Sequence, residues 1–293
     1  MAILIDEKSR ILIQGMTGSV GQIFAKRMLT YQTPLVAGVT PGKGRQVLFG
    51  VPIYSTVLEA VQETAANVSL VIVPPNVVKE AVFEAIDAGI KTIVIYSEGV
   101  PVHDSIRMIE YAKLKDVLVF GPNSAGVVSP RKANVSDLDD SILQPGKIGI
   151  VSKSGTLTYE VVEILKDLSF GISTIVCLGG DPVIGVQHDQ ILELFEQDME
   201  TEAIIYIGEI GGNDEKRSAE VIKQMEKPVF SYVAGKHAPV GKRMGHAGAI
   251  IHREDESASN KQQILKESGA LVVDIITDLR SVLATYPFTF RQV

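Results

Sequence analysis

The chain has 293 residues, 45% of them hydrophobic, and a formal net charge of −7. This length suffices for two ordinary domains, and an acidic chain without a basic tail lacks the electrostatic footprint of a nucleic-acid-binding protein. A single cysteine excludes an internal disulfide, no apolar run is long enough to span a membrane, and the N-terminus does not resemble a targeting peptide. We therefore expect a cytoplasmic protein without a nucleic-acid or membrane partner.

The first half of the chain alternates strand-length apolar runs with amphipathic helical patterns such as those at 77–88 and 105–114. Continuous runs of Val, Ile and Leu are typical of parallel strands that are covered on both faces. This alternation predicts an α/β, doubly wound, Rossmann-like sheet. The runs lie at 10–14, 35–39, 70–73, 92–96 and 117–120.

A glycine-rich turn follows the first of these runs, at 15–21. A strand, a glycine turn and a helix start present free backbone N–H groups to an anion, although such turns also occur without a ligand. The spacing is G-x-x-G-x-x-G, and the second strand is followed by Lys43 where a nicotinamide site would have a carboxylate. The pattern favours a ligand with an additional phosphate, such as NADP or coenzyme A.

The polar, acidic stretch 129–146 interrupts the alternation, and we interpret it as a linker. It divides the chain into a domain at 1–128 and a second α/β domain at 147–293. Cys177 lies in one of the strand-like runs of the second domain, so we expect a buried thiol. These runs are at 148–151, 174–178, 203–207, 229–233 and 271–273.

The second domain has its own strand-to-helix turn at Ser154, Gly155 and Thr156. These residue types suit a helix N-terminus, and their free amides are suited to a phosphoryl group. An ordinary helix cap is the alternative. The sequence contains no P-loop motif.

One histidine, His246, lies among glycine and alanine in the stretch 245–250 and follows the fourth strand of this domain. Glu209 comes at the end of the third strand, and ligands of open α/β sheets gather outside the carboxyl ends of the strands. A carboxylate bound to one imidazole nitrogen leaves the other free as a nucleophile. We expect the remaining histidines to be solvated, and no His/Cys spacing indicates a metal site.

Taken together, the motifs resemble the α subunit of succinyl-CoA synthetase (succinate–CoA ligase), within the wider acid–thiol ligase group that includes ATP-citrate lyase. The resemblance covers nearly the whole chain. Its elements are G-x-T-G-S-x-G at 15–21, V-T-P-G-K-G at 39–44, E-A-I-D-A-G-I at 84–90, G-P-N at 121–123, V-S-K-S-G-T-L-T-Y-E at 151–160, G-G-D-P at 179–182, G-E-I-G-G at 208–212 and G-K-R-M-G-H-A-G-A-I at 241–250.

The resemblance implies a Rossmann-like domain that binds coenzyme A, followed by a flavodoxin-like domain that carries the phosphorylated histidine. It makes His246 the phosphoryl acceptor and Glu209 its orienting carboxylate, and it assigns the turn 154–156 to the phosphoryl group. Tyr159 would lie near the organic acid, in a site shared with a partner. The residues implied for coenzyme A are Thr17, Gly18, Ser19, Val20, Lys43, Tyr96, Ser97 and Glu98.

The implied reaction has three steps. A nucleoside triphosphate phosphorylates His246, the phosphoryl group passes to a carboxylic acid, and the thiol of coenzyme A displaces phosphate from the acyl phosphate. ATP or GTP with Mg²⁺ would be bound by an ATP-grasp β subunit in an αβ or α2β2 assembly.

The chain departs from the family pattern at Ser124-Ala125-Gly126, at 133–140 and at 186–189. Malate or citrate therefore remains an alternative to succinate. A non-catalytic, CoA-binding regulatory protein is another alternative, and an NADP-dependent oxidoreductase is a third, which rests only on the first glycine turn and Lys43.

Overall fold

The computed structural model of the chain describes residues 3–288 and 290. Its first part is an α/β layered unit built on a sheet that, within these residues, has seven strands in the order β3-β4-β2-β1-β5-β6-β7. All neighbours in this sheet are parallel except β3, which is antiparallel to β4. The strands are β1 (Ile11–Gln14), β2 (Leu35–Val39), β3 (Val47–Leu48), β4 (Val51–Tyr54), β5 (Val68–Val71), β6 (Thr92–Ile95) and β7 (Leu118–Phe120).

The helices of this unit cover the sheet and supply the crossovers between its parallel strands. The central strands are buried along their whole length, as their uninterrupted apolar runs predict. Because β2 and β5 lie on opposite sides of β1, the chain reverses its winding there and leaves a crevice at the carboxyl end of β1. The helices are α1 (Ser19–Thr30), α2 (Val57–Thr64), α3 (Val78–Asp87) and α4 (Val102–Leu114).

A second sheet follows, with the strand order β14-β13-β12-β10-β11-β8-β9 among the described residues. The strands from β10 to β14 are mutually parallel, whereas β8 runs antiparallel to β11 and β9 antiparallel to β8. The strands are β8 (Gly126–Ser129), β9 (Ala133–Ser136), β10 (Pro145–Ser152), β11 (Ile172–Cys177), β12 (Ala203–Glu209), β13 (Val229–Ala234) and β14 (Leu271–Val273).

The winding of the second sheet reverses at β10, which lies between β11 and β12. A second crevice is therefore formed at the carboxyl ends of these strands. None of the helices described in either part is both long and apolar enough to cross a membrane. Those of the second part are α5 (Gly155–Asp167), α6 (His188–Gln197), α7 (Asp214–Ile222), α8 (Ala258–Glu267) and α9 (Leu279–Thr285).

The predicted α/β class with two mostly parallel sheets is confirmed. The stretch 129–146 contains β9 and the beginning of β10, so part of it belongs to the second sheet, and a short 3-10 helix lies between these strands. The side chains of β9 are buried, and Oδ1 of Asn134 accepts hydrogen bonds from the backbone amide and the hydroxyl of Ser136. The division into domains at 128 and 146 stays a prediction.

The two sheets meet through tight backbone contacts near the end of β7. A Cβ placed on Gly179 would lie 2.2 Å from the carbonyl oxygen of Pro122. The carboxylate of Asp181 accepts hydrogen bonds from the amides of Gly99 and Val100, at 3.1 and 3.3 Å. These contacts hold the edges of the two sheets, and therefore the two crevices, in a fixed relation.

Candidate active site

The first glycine turn lies at the crevice beside β1. Gly15 has φ of +88°, and a Cβ there would lie 2.0 Å from the carbonyl oxygen of Ile72, so only glycine fits. The helix α1 then begins after Gly18, whose backbone is extended and which makes no side-chain cap. The predicted residues Gly18, Ser19 and Val20 are exposed. The amide of Gly18 donates to the carbonyl oxygen of Gly15 at 3.0 Å, so the first-turn amides of Ser19 and Val20 are the ones that an anion can reach.

Lys43 reaches this turn from the loop after β2. Its Nζ donates a hydrogen bond to Oγ1 of Thr17 at 3.2 Å, and the hydroxyls of Thr17 and Thr40 are also 3.2 Å apart. The sequence separates Lys43 from Thr17 by 26 residues. The structure thus brings the predicted ammonium group and the predicted amides to one edge of the sheet.

A cleft of about 480 Å³ opens at the same edge. Thr17, Gly18 and Thr40 line it beside apolar residues, among them Ile72 and Val77. The sequence motifs do not reveal this apolar wall, because it comes from the loop after β5 and from α3. The cleft therefore combines the polar groups of the glycine turn with an apolar surface, and Glu80 and Glu84 also line it.

Tyr96, Ser97 and Glu98 follow β6 and lie next to the residues that line this cleft. The hydroxyl of Ser97 donates to the carbonyl oxygen of Val73 at 2.6 Å, and the ring of Tyr96 packs edge-on against Phe24 with centroids 4.8 Å apart. Glu98 is exposed and precedes the amides bound by Asp181. The turn 96–98 thus connects the first crevice to the second.

His246 and Glu209 meet at the second crevice. Nδ1 of His246 lies 2.7 Å from Oε2 of Glu209, which ends β12. A carboxylate only accepts, so Nδ1 carries the proton and Nε2 presents its lone pair. The side chain of His246 is 27% exposed and that of Glu209 is 10% exposed, so the ring is reachable while its carboxylate is not.

The hydrogen bond that His246 donates to Glu209 is the largest influence on the pKa of His246, and it raises that pKa above its usual value near 6.5. Burial opposes this effect, since it disfavours the charged ring. The ammonium of Lys153 also lowers the pKa, whereas the carboxylate of Asp181 raises it. The imidazole is thus a stronger base than a free histidine.

The turn 154–156 lies at the carboxyl end of β10, next to β12. Oγ of Ser154 accepts the amide of Leu157 at 3.3 Å and caps α5. The amide of Ser154 itself donates to Oγ of Ser152 at 3.0 Å. The turn is therefore a capped helix N-terminus, and its positive end lies on the same sheet edge as Glu209.

Tyr159 lies in a different cavity, of about 390 Å³. Its hydroxyl donates to the carbonyl oxygen of Asp137 at 2.6 Å, and burial raises its pKa. The cavity is also lined by Lys26, Arg27 and the carboxylates of the stretch 137–140. Sequence reasoning missed these basic residues, because they lie on the outer part of α1.

The expectation of solvated histidines holds for His103, His237 and His252, which are exposed, but is wrong for His188. His188 is fully buried and stacks on Tyr206 with ring centroids 4.4 Å apart. Its position at the start of an amphipathic helix suggested exposure, but α6 turns this residue inward. The expected burial of Cys177 is confirmed, and burial raises the pKa of its thiol to about 12.

Several charged residues near Glu209 were also missed. Lys153 makes an ion pair with Asp214 at 2.6 Å, and Lys261 with Glu215 at 2.5 Å. Nζ of Lys261 also donates to the carbonyl oxygen of Glu209 at 2.8 Å, which fixes the end of β12. The acidic pair Asp214-Glu215 that follows the G-E-I-G-G motif was the available signal, since it begins the helix after β12.

The fold and these two crevices define a class of protein in which a CoA-binding domain precedes a CoA-ligase domain. Residues 6–99 match the CoA binding domain family, and residues 151–271 match the CoA-ligase family. The chain is 49% identical to succinate–CoA ligase (ADP-forming) subunit alpha 2 of Archaeoglobus fulgidus, over 93% of this chain and 95% of that one. The chain belongs to the family of succinate–CoA ligase α subunits.

Other relatives carry different names within the same class. The malate–CoA ligase subunit alpha of Methylorubrum extorquens is 47% identical, over 93% of this chain and 94% of that one. The ATP citrate lyase of Methanothrix soehngenii, in complex with citrate and coenzyme A, superimposes with a TM-score of 0.89 at 25% identity. That match covers 96% of this chain but only 50% of the lyase.

Proposed function

We propose that this chain is the phosphohistidine-carrying α subunit of a CoA ligase whose carboxylic acid is succinate. The observation that carries the proposal is the 2.7 Å contact between Nδ1 of His246 and Oε2 of Glu209. It orients a reachable imidazole so that Nε2 is the nucleophile. Glu209 stabilises the positive charge that develops on the ring as Nε2 attacks a phosphorus atom.

The capped start of α5 supports the same role. A phosphoryl group on His246 adds negative charge at an edge where the helix presents its N-terminus. In this proposal the turn 154–156 holds the phosphoryl group: the amides of Gly155 and Thr156 bind its oxygens, and Ser154, whose amide donates to Oγ of Ser152, caps the helix. The phosphoryl group then passes from Nε2 to the carboxylate of the acid, which makes the acyl carbon open to attack by a thiol.

Coenzyme A is a substrate of this reaction, and the first crevice fits its chemistry. The first-turn amides of Ser19 and Val20 and the ammonium of Lys43 match its phosphates, Gly18 leaves room for them, and the apolar wall of the cleft matches its base. In this proposal Thr17, Tyr96, Ser97 and Glu98 complete the site. The thiol of bound coenzyme A supplies the nucleophile for thioester formation.

The proposal assigns nucleotide binding to a partner. The relatives are named as α subunits, and we infer an ATP-grasp β subunit that holds ATP or GTP with Mg²⁺ in an αβ or α2β2 assembly. Tyr159, beside Lys26 and Arg27, would contribute to an acid site shared with that subunit. A cytoplasmic location completes the proposal.

Malate is the second candidate acid. The relative named malate–CoA ligase is nearly as similar to this chain as those named for succinate. The residues that would separate these acids lie partly on the partner. Citrate is a further candidate, because the lyase structure contains it.

The first test is phosphorylation of the complex with its partner subunit by labelled ATP or GTP. We expect a label that is stable to base and labile to acid, as phosphohistidine is. The label should disappear in His246→Asn, while the affinity for coenzyme A stays unchanged because that crevice lies in the other domain. His237→Asn is the matched control, since this exposed histidine lies on the same loop after β13.

Two results would contradict the proposal. One is a label on a serine, and the other is no label at all, which would favour a regulatory CoA-binding protein. Thioester formation from succinate, malate and citrate in parallel then identifies the acid. Titration with NADPH should show no binding at the first crevice.

A further inference from the structure

The ammonium group of Lys153 lies near Glu209, beside the carboxylate oxygen that does not bind His246. Nζ of Lys153 is 2.6 Å from Oδ2 of Asp214 and 3.9 Å from Oε1 of Glu209. The other oxygen of Glu209 is the one that binds His246. The four side chains of His246, Glu209, Lys153 and Asp214 thus form a row, in which the ammonium lies between two carboxylates.

Rigid elements hold this ammonium in place. Lys153 follows β10 directly, and its amide donates to the carbonyl oxygen of Ile207 in β12 at 3.3 Å. Asp214 is the first residue of α7 and also binds Arg217. The side chain of Lys153 is only 13% exposed, so solvent screens its charge weakly.

Lys153 keeps its charge in this position. Burial alone disfavours an ammonium ion, but the nearby carboxylates of Asp214, Glu215 and Glu209 together outweigh it and raise the pKa of Lys153. Burial acts against ionisation of Asp214 as well, but the neighbouring cations, chiefly Lys153, hold the pKa of that carboxyl far below its usual range. Both members of this pair are therefore ionised at neutral pH.

We propose that Lys153 is a positioning residue of the phosphorylation site: its tethered ammonium holds Glu209 towards Nδ1 of His246, and its positive charge opposes protonation at Nε2. The inference rests on the proposed function of His246. It deepens that function, because it assigns the protonation state of the nucleophile to a residue that does not touch it.

The charged groups that face His246 from the neighbouring elements explain why the loss of Lys153 should raise the pKa of His246. Glu209 from β12 and Asp181 from the loop after β11 favour the imidazolium form, and Lys153 from the end of β10 opposes it. Lys242 and Arg243, on the histidine's own loop, are exposed. Without Lys153 the ring would face these two carboxylates with less opposing positive charge, and it would bind a proton more readily.

The test is the pH dependence of phosphohistidine formation in the complex with the partner subunit. In the wild type the rate should fall on acidification as His246 becomes protonated. In Lys153→Met, which keeps the length of the side chain, the midpoint of this acidic limb should move to higher pH. Lys153→Arg should restore the wild-type midpoint. If the midpoint rises by about one pH unit, the rate at a given pH on the acidic limb falls about tenfold.

Lys147→Met is the matched control, because Lys147 lies at the other end of β10 in an exposed pair with Glu202. It should leave the midpoint unchanged. Asp214→Asn is a second variant that keeps the volume of the side chain and an acceptor for Arg217. This substitution removes the negative charge of Asp214, so the positive charge of Lys153 is less neutralised. The midpoint of the acidic limb should therefore move to lower pH.

Urea unfolding, measured on every variant, reports whether the part of the chain that holds Lys153 is folded. The inference is wrong if the midpoints of Lys153→Met and Asp214→Asn both equal that of the wild type, or if their rates fall by one constant factor at every pH. Failure of the proposed function looks different, because then the wild-type complex itself forms no phosphohistidine.

Discussion

The imidazole of His246 packs against a residue that has no side chain. A Cβ placed on Gly180 would lie 2.4 Å from Cγ of His246 and 2.5 Å from its Cδ2, well inside van der Waals contact. The carbonyl oxygen of Gly180 accepts the amide of Gly248 at 3.3 Å and so holds the histidine loop. The absence of one carbon atom at residue 180 therefore permits the position from which His246 reaches Glu209.

Gly180→Ala should displace the ring from Glu209 and slow phosphohistidine formation by about 10²-fold, as expected when a reacting group shifts by about 1 Å. Single-turnover phosphorylation measures this rate, and coenzyme A affinity should not change. Gly248→Ala is the control on the loop that carries His246, because a Cβ there would have its nearest neighbours at 3.5 Å. If both variants lose the same fraction of the phosphorylation rate, the surroundings of His246 tolerate no added carbon at either position, and the contact with Gly180 has no special role.

At the scale of the element, the cap of α5 has both a structural and a chemical role. Its Ser154 hydroxyl satisfies one amide of the first turn, at Leu157, and the carbonyl oxygen of Ser154 binds Thr158 through its amide and its hydroxyl. Removing the hydroxyl frays the first turn, whose amides are the proposed phosphoryl ligands.

Ser154→Ala should lower the free energy of unfolding by about 1 kcal/mol and shorten the lifetime of phosphohistidine. Thr56→Ala removes the equivalent cap of α2, where Oγ1 accepts the amide of Glu59 at 3.2 Å. It should cost similar stability without affecting phosphohistidine. Denaturant unfolding and the decay of the label measure the two effects, and equal decay in both variants would assign no phosphoryl role to the turn.

Elements with strong periodic signals could be predicted from the sequence, and the others could not. Strands β1, β6 and β12 consist mainly of apolar residues and are buried on both faces. Such runs predict buried parallel strands directly from the amino-acid pattern. The hairpin of β8 and β9 was missed because β9 contains Asn134 and Ser136, whose burial depends on hydrogen bonds made only in the folded chain.

The same contrast applies to the candidate site. Glu209 and His246 could be paired in advance, because both follow parallel strands whose carboxyl ends share an edge. Lys261 could not be foreseen, since a lysine on a helix is usually solvated. It is 1% exposed here because Glu215 and two backbone carbonyl groups surround its ammonium.

At the scale of the whole molecule, the second domain buries ionisable groups whose charges depend on folding. His188 is the clearest case, because burial lowers its pKa from 6.5 to about 3 against the smaller effect of Asp214. Its Nε2 lies 3.2 Å from the carbonyl oxygen of Ile207, to which it donates in the neutral form. The folded chain therefore holds a neutral imidazole at a pH where the unfolded chain binds a proton.

The sign of the pH dependence follows from these two values. Above pH 6.5 His188 is neutral in the folded and the unfolded chain, so it adds no pH dependence to the free energy of unfolding. As the pH falls from 6.5 toward about 3, only the unfolded chain takes up this proton, so the free energy of unfolding decreases. The slope from this one residue is at most about 1.4 kcal/mol per pH unit.

His188→Phe should remove that contribution. The phenyl ring retains the stacking on Tyr206, and the carbonyl oxygen of Ile207 keeps the amide of Lys153 as a donor. Urea unfolding across this pH window should give a shallower loss of stability than in the wild type, even if the variant is less stable at neutral pH. His103→Phe, on the exposed surface of α4, should retain the wild-type slope. If the slopes of His188→Phe and the wild type are the same, the proton that destabilises the chain in acid binds elsewhere, and His188 can be charged inside the folded domain.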